Sequence, residues 1–397
     1  MNNKNHPHRY RDFAIVLSWP ETTARGDHKW CDVLQKVGVL KNKNFRVGHA
    51  AIILINTADG SLHYYDFGRY VTPRGYGRAR SASTDPKLSF EVSAHTQNSS
   101  LDQWRDPAEY IEEVVKTPDF MSTPVYNLVD IILELESKKR YTHGNGPVFF
   151  SVADSIDFGL ANQRAESFVQ KGSMKYSAFM PGNSNCSRFV ESVLLAGLKS
   201  TTRQRKNLII HETIISSPIS NVVNASYDGM VYQYNGEKFF GQTMNRKQSL
   251  RFFMDKTLAN FKKDSTVDLP DDTEPGCTHE PERPVTLPSD VQWLGGIGEG
   301  AWYRIEKTKG HFSLLRYDMS GEIEFARSFT STWFNPDKPY RITYDTHALK
   351  LTVIQDGQVR EIELKNSINS SRAIADPSQT MNSTKSNPQS SNALQYS

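Results

Sequence analysis

Cys186 stands in the segment Asn185-Cys186-Ser187-Arg188-Phe189-Val190, where a loop rich in Gly, Asn and Ser gives way to an amphipathic helix. Downstream, Phe189, Val190, Val193, Leu194 and Leu198 recur at spacings of three and four, an apolar stripe on the side of Cys186 that turns the thiol toward the body of a domain. Far upstream, Val47-Gly48-His49-Ala50-Ala51-Ile52-Ile53-Leu54-Ile55 reads as a strand with one histidine near its start. A thiolate is the reactive form of cysteine, and a helix dipole together with a nearby imidazolium draws its pKa toward neutrality. A chain that brings this helix end to this strand is an α+β fold, and the pairing points to a thiol enzyme.

The bulk properties narrow the alternatives. At 397 residues the chain is long enough for two to three domains. Its 47 basic and 44 acidic residues leave a net charge of +3, too small for a global field that would recruit nucleic acid or a membrane surface. The three cysteines, Cys31, Cys186 and Cys277, form no CxxC and no Cys/His cluster, so neither a disulfide framework nor a zinc site is expected, and no metal or other cofactor is implied. Met1 to Arg11 is polar without an apolar core, and no stretch reaches the length of a membrane span; a cytoplasmic protein is the expectation.

Along the chain, Phe13-Ala14-Ile15-Val16-Leu17-Ser18-Trp19, ended by Pro20, suits a buried strand. After the histidine strand, Asn56-Thr57-Ala58-Asp59-Gly60 marks a turn into Leu62-His63-Tyr64-Tyr65-Asp66-Phe67, a β-hairpin. Between Ser100 and Asn162 the pattern reads as helices: Pro107 to Val115, Tyr126 to Lys139, and a stretch after Asp154 continuing toward Gln170. Gly229 to Phe261 offers a hairpin at Asn235-Gly236 and a helix from Lys247. The Pro-, Asp- and Glu-rich stretch at 263–288 reads as a linker. Beyond it, Trp302 to Glu306, Phe312 to Tyr317, Ile323 to Phe329, Tyr340 to Tyr344, Leu349 to Gln355 and Val359 to Leu364 predict a small antiparallel sandwich or barrel. The Ser/Asn-rich end, 366–397, reads as disordered.

The order of the two motifs carries a resemblance. Gly48-His49-Ala50-Ala51-Ile52 followed by a hairpin, with Asn185-Cys186-Ser187-Arg188-Phe189-Val190 opening a helix much later, resembles the circularly permuted NlpC-like branch of the papain-like clan, cysteine peptidases and amidases. The unpermuted family places a DCSGFV-type helix first and a GHVGIY-type strand later. Lecithin:retinol acyltransferase and its relatives share the reversed order, and their NCEHFV-type segment matches Asn185 to Val190 at four of six positions. The resemblance covers about Phe13 to Leu198 and is nearest to bacterial families of that branch.

It implies Cys186 as nucleophile and His49 as the general base that activates it and later protonates the leaving group. A polar residue on the following strand would orient the imidazole, and motif position maps this role to His63. Strand register leaves the choice open: an even pairing sum puts His63, Tyr65 and Phe67 on the face of His49, an odd sum Tyr64 and Asp66. Asp66 is the chemically better orienter, since a carboxylate favours the imidazolium. The oxyanion donors implied are the backbone N–H of Cys186, with Tyr176 and Asn185 at its side.

Other features weigh less. Arg69, Arg74, Arg78 and Arg80, interleaved with Tyr70 and Tyr76, form a basic aromatic loop that can hold phosphates or bases; against a charge of +3 the plainer reading is a cleft rim, with Arg69 and Arg74 meeting an anionic substrate. Arg203-Gln204-Arg205-Lys206 reads as charge at the C-terminus of the cysteine helix. Gly296-Ile297-Gly298-Glu299-Gly300-Ala301 fits a dinucleotide fingerprint formally, but a strand follows where that motif needs a helix, so it reads as a turn opening the β region. His143-Gly144-Asn145-Gly146 reads as a turn rather than a second histidine of the cleft. Trp302, Tyr303, Trp333 and Phe334 are core aromatics before they are a glycan site.

The expected organisation is a permuted papain-like α+β domain over 10–262 with its motifs in 13–198, a linker at 263–288, a small all-β domain at 289–365 and a tail at 366–397. The expected activity is amide or peptide hydrolysis through a Cys thioester. Transfer to a lipid or amine acceptor from the same centre, with an acyl-lipid as substrate, and a non-catalytic binding module on a papain-like scaffold are the alternatives.

Overall fold

A computed structural model describes residues 10–25, 29–38, 44–97, 123–177, 183–210, 216–260, 262, 279–308 and 310–366. In chain order the strands of its first part are β1 (Asp12–Trp19), β2 (Thr23–Arg25), β3 (Asn44–Arg46), β4 (His49–Asn56), β5 (Ser61–Gly68), β6 (Tyr76–Arg80), β7 (Val148–Ile156), β8 (Met174–Lys175), β9 (Met230–Tyr234) and β10 (Phe239–Thr243). All but β2 and β3, which pair with each other, join one antiparallel sheet in the order β10-β9-β7-β1-β4-β5-β6-β8.

The central strands are covered on both faces. Ala14, Val16, Ala50, Ile52 and Leu54 pack under the helices Phe158–Lys171, Cys186–Gly197 and Pro218–Ala225, while Phe13, Ile15, Leu17, Ala51 and Ile53 pack against the helix Leu128–Ser137. Burial on both sides is why these strands read as continuous apolar runs rather than alternating ones. It also accounts for β7, which the helical reading of residues 100–162 overlooks: Val148-Phe149-Phe150-Ser151-Val152-Ala153 is apolar but for Ser151 and short, a pattern whose periodicity does not separate strand from helix.

Other expectations shift at their boundaries. The histidine strand begins at His49, not Val47, because Gly48 takes φ +77°, where a Cβ would meet the Trp19 carbonyl oxygen at 3.3 Å. The helix expected over Tyr126 to Lys139 spans Leu128–Ser137 and is followed by a separate turn of helix, Lys139–Thr142. The stretch after Asp154 becomes helical only at Phe158, where the Asp157 carboxylate accepts from the Leu160 N–H. Arg203, Arg205 and Lys206 do not end the cysteine helix; they lie in a helix of their own, Arg203–Ile209, capped by Thr202. The next helix, Pro218–Ala225, opens with a reciprocal Ser217/Ser220 cap and Pro218 in its first turn. The expected helix Pro107 to Val115, most of the 263–288 linker and the tail beyond 366 lie outside the described residues.

The last part of the chain is all β. One five-stranded antiparallel sheet contains Gln292–Leu294, Ala301–Thr308, His311–Tyr317, Ile323–Phe329 and Lys365–Asn366, and a three-stranded sheet contains Tyr340–Ile342, Lys350–Gln355 and Gln358–Glu363. Tyr303, Leu314, Phe325 and Phe329 of the first share a core with Leu351, Val353 and Ile362 of the second. Trp302, Tyr303 and Phe334 are buried in these cores, and Trp333 is partly buried against them.

This β region is stitched to the first part at the loop before Ala301. The Gly298 N–H donates to the Arg69 carbonyl at 2.8 Å, the Val71 N–H to the Glu299 carbonyl at 2.8 Å, and the Ala348 N–H to the Thr84 carbonyl at 3.1 Å. The approach is close enough that a Cβ on Gly298 would lie 2.9 Å from the Arg69 oxygen, and Val71 is buried in the core of the β region. Among the described residues no helix is long and apolar enough to cross a membrane.

Candidate active site

Cys186 is the first residue of its helix, and Asn185 is the N-cap: extended at φ −145°, it accepts the Arg188 N–H on Oδ1 at 2.9 Å. Asn185 therefore fixes the start of the helix that presents the thiol. Phe189, Val190, Val193 and Leu194 bury the stripe below, and Asn221 donates to the Ser187 carbonyl at 2.8 Å, tying the first turn to the neighbouring helix. Cys186 is 7% exposed.

His49, 6% exposed, sits at the beginning of β4 opposite Trp19, and the two rings stack at 5.7 Å. Its position at a strand end lets the ring serve both sides of the sheet. The helix carrying Cys186 covers the face of Ala50 and Ile52, while Asp66, paired with Ala51, projects from the other. His49 Nε2 lies 3.3 Å from Asp66 Oδ2 and 3.1 Å from the Tyr70 hydroxyl. Cys186 hydrogen-bonds to the His49 side chain as well.

The register of β4 with β5 sets which side chains share the face of His49. Ala51 faces Asp66 and Ile53 faces Tyr64, an odd pairing sum, so Tyr64 and Asp66 share the face of His49. His63 points away: it meets the Ser61 hydroxyl at 3.3 Å and packs edge-on against Phe158. Of the two candidates for the orienter, His63 is thus turned away from the imidazole by the register, and Asp66 is the one within hydrogen-bond reach of it.

Asp66 has no exposed surface and is saturated with donors. Arg80 grips it bidentately, Nε to Oδ1 at 3.0 Å and a terminal nitrogen to Oδ2 at 2.6 Å, and the Tyr64 and Tyr70 hydroxyls donate to Oδ2 at 3.1 and 3.3 Å. Burial alone would raise its pKa, but the Arg80 charge and these hydrogen bonds hold it well below the usual carboxylate range. Burial likewise opposes a charged His49, yet the hydrogen bond and charge of Asp66, with those of Cys186, raise it to about 9. The Cys186 thiol, pushed up by burial, is brought below its ordinary value by the His49 side chain, the Ala50 N–H and the Ser187 hydroxyl. Each of the two groups thus favours the charged form of the other.

Tyr176 reaches the same point from the other side. Its hydroxyl hydrogen-bonds to both the side chain and the backbone N–H of Cys186, and burial keeps it protonated far above neutrality. The ring stacks on Phe67 at 6.0 Å, and the Arg69 guanidinium lies over it at 5.0 Å. Arg74 is exposed in the turn before β6. Arg78 and Arg80, by contrast, are 3% and 2% exposed. The basic aromatic loop is therefore no continuous cationic surface: two of its four arginines are held inside by Asp85 and Asp66. A small hollow of about 20 Å³ lies beside Gly48, lined by Pro20, Arg46, Pro218, Ile219 and Phe252 among others.

Several contributors were not singled out by sequence. Trp19 supports the imidazole, Tyr70 bridges it to Asp66, and Arg80 holds the carboxylate; Arg80 stacks over the Tyr70 ring at 3.5 Å. His143, expected as a turn, takes φ +54° as one, yet its ring stacks on Tyr70 at 5.1 Å and reaches Glu299 at 3.6 Å. Among the described residues no three His, Cys, Asp or Glu side chains are grouped to hold a metal ion. Cys277 lies outside the described residues, and Cys31 is in the helix Lys29–Lys36.

Comparison with known proteins bears on the same segment. The family model of type VI secretion system effectors described as TseH-like matches residues 14–121 and 103–203, which include His49, Asp66 and Cys186. A second model, the DUF6695 C-terminal domain, matches residues 291–365. The crystal structure of the type VI secretion system effector TseH is 14% identical with a TM-score of 0.36, over 59% of this chain and 98% of that one. No curated protein matches. The stretch that carries the thiol centre is thus similar to TseH-like effectors, and the terminal β region to a separate family.

Proposed function

We propose that the protein is a cysteine-dependent hydrolase, an amidase or peptidase, on a permuted papain-like scaffold. The observation that carries this reading is the buried succession Cys186, His49, Asp66 at a helix N-terminus, with the Cys186 backbone N–H and the Tyr176 hydroxyl side by side at the thiol. Cys186 Sγ attacks the amide carbonyl; the oxyanion that forms is met by the Cys186 N–H and Tyr176. The His49 imidazolium, held in place by Asp66, passes its proton to the departing amine as the C–N bond breaks. Water then attacks the thioester as neutral His49 takes its proton, the C–S bond breaks, and the carboxylic acid leaves with the thiolate–imidazolium pair restored.

Similarity over residues 14–203 to TseH-like type VI effectors supports such an effector role, with the cytoplasm as the compartment of synthesis. Trapping tests the chemistry. Incubation with an activated acyl donor should add one acyl mass at Cys186, and the adduct should discharge to water without an added acceptor. An adduct released only when an amine or lysolipid is supplied would assign acyl transfer instead.

A further inference from the structure

The charge that holds Asp66 does not stop at Arg80. From the thiol outward, buried charges of alternating sign follow one another: Cys186, His49, Asp66 and Arg80 in the first part of the chain, then Glu299 of the β region, Arg316, Asp85 and Arg78. Glu299 lies 3.5 Å from Arg80 and 3.0 Å from Arg316, Arg316 lies 2.8 Å from Asp85, and Asp85 takes Arg78 bidentately. Every side chain from Asp66 to Arg78 is at most 8% exposed.

We infer that Glu299 is a positioning residue of the thiol centre: the terminal β region inserts it behind Arg80 and so fixes the hold of Arg80 on Asp66, and of Asp66 on His49. This rests on the thiol-hydrolase reading above. Two observations single out Glu299 over an ordinary interdomain ion pair. Its loop is placed by backbone, with Gly298 pressed to the Arg69 carbonyl and the Glu299 carbonyl accepting from Val71, so the carboxylate is aimed, not merely attracted. It also touches the centre by a second route, through His143, whose ring stacks on the same Tyr70 that bridges His49 and Asp66.

The groups facing Glu299 are Arg80, Arg316, His143 and, across Arg316, the carboxylate of Glu324; those facing Asp66 are His49, Arg80, Tyr64 and Tyr70. Removing the Glu299 charge leaves Arg80 to be neutralised by Asp66 alone, and less of the Asp66 charge remains for the imidazolium. The proton on His49 should become easier to lose.

Alkylation of Cys186 by iodoacetate reads this directly, because an anionic reagent reacts fastest while the neighbouring imidazolium is charged; the alkaline limb of its pH profile reports His49. In Glu299→Gln that limb should move toward acid by roughly one unit, and in Gly298→Ala, which displaces the loop and changes no charge, it should move the same way. A limb that stays in place in either folded variant, with or without a lower melting temperature, overturns the inference and makes Glu299 a structural ion pair. If Glu299→Gln does not fold, Gly298→Ala decides. Wild-type protein with no His49-dependent limb would instead sink the thiol reading itself.

Discussion

The two ends of this buried succession of charges are built differently. At the thiol end each group meets its opposite: Asp66 is shared between Arg80 and His49, and His49 between Asp66 and Cys186. At the far end one cation, Arg316, is ringed by three carboxylates, Asp85, Glu299 and Glu324. The surplus shows in the proton affinities. Burial, then the neighbouring Arg316, act on both glutamates, but Glu299 is held down to about 2 while Glu324, facing Glu299 and Asp85 as well, is pushed up to about 7. The balanced end keeps its charges fixed through the range in which a thiol enzyme works, whereas the crowded end retains a group that titrates there.

That contrast can be broken from either side. The largest effect is expected from Asp66→Asn, which leaves Arg80 and the imidazolium without their shared carboxylate inside the protein; a loss of about 3–5 kcal/mol in denaturant unfolding is expected, the range for one partner removed from a buried pair. A loss below 1 kcal/mol would show that Asp66 is not the joint of the network. Next, Tyr176→Phe should lower kcat roughly 10²-fold with little change in stability, as for an oxyanion donor; unchanged turnover would return Tyr176 to packing.

A smaller effect separates the crowded end. Glu324 has its folded pKa raised above the value it has when unfolded, so the folded state binds the extra proton and the stability this confers is complete at acid pH. It should be lost as pH rises through about 7. Glu324→Gln should remove that slope, and urea unfolding of both proteins at mildly acidic and at alkaline pH measures it. Parallel pH dependence in the two proteins would contradict the surplus. The smallest change is expected for exposed Arg74→Ala, within about 0.5 kcal/mol, and a larger one would place Arg74 in the network with its neighbours.

The sequence made the two ends unequally visible. Cys186 and His49 were legible because each lies in a local pattern, a capped amphipathic helix and a Gly-His strand, whose physics works within a few residues. Asp66 was only half legible: the hairpin showed that it or His63 would face the imidazole, but the parity of the β4–β5 pairing depends on how the turn at 56–61 closes, and local composition does not set it. Arg78 and Arg80 looked like part of a basic loop rimming a cleft, since nothing nearby in sequence reveals that Asp85 and Asp66 will bury them. Glu299 was invisible for the same reason at longer range: its neighbours suggested only a glycine-rich turn, and its partners come from two other parts of the chain. β7 was missed because a strand buried on both faces loses the alternation that marks one.

The central claim is that the Cys186 thiol is ionised by His49. The most direct measurement is the rate of iodoacetamide modification of each cysteine, followed by peptide mass mapping at mildly acidic to neutral pH in wild-type protein and in His49→Ala. The account predicts that Cys186, though buried, is modified much faster than Cys31 or Cys277, and that the advantage disappears in His49→Ala, a drop of roughly 10²-fold or more. Modification of Cys186 no faster than of the other two, or at the same rate without His49, would contradict it.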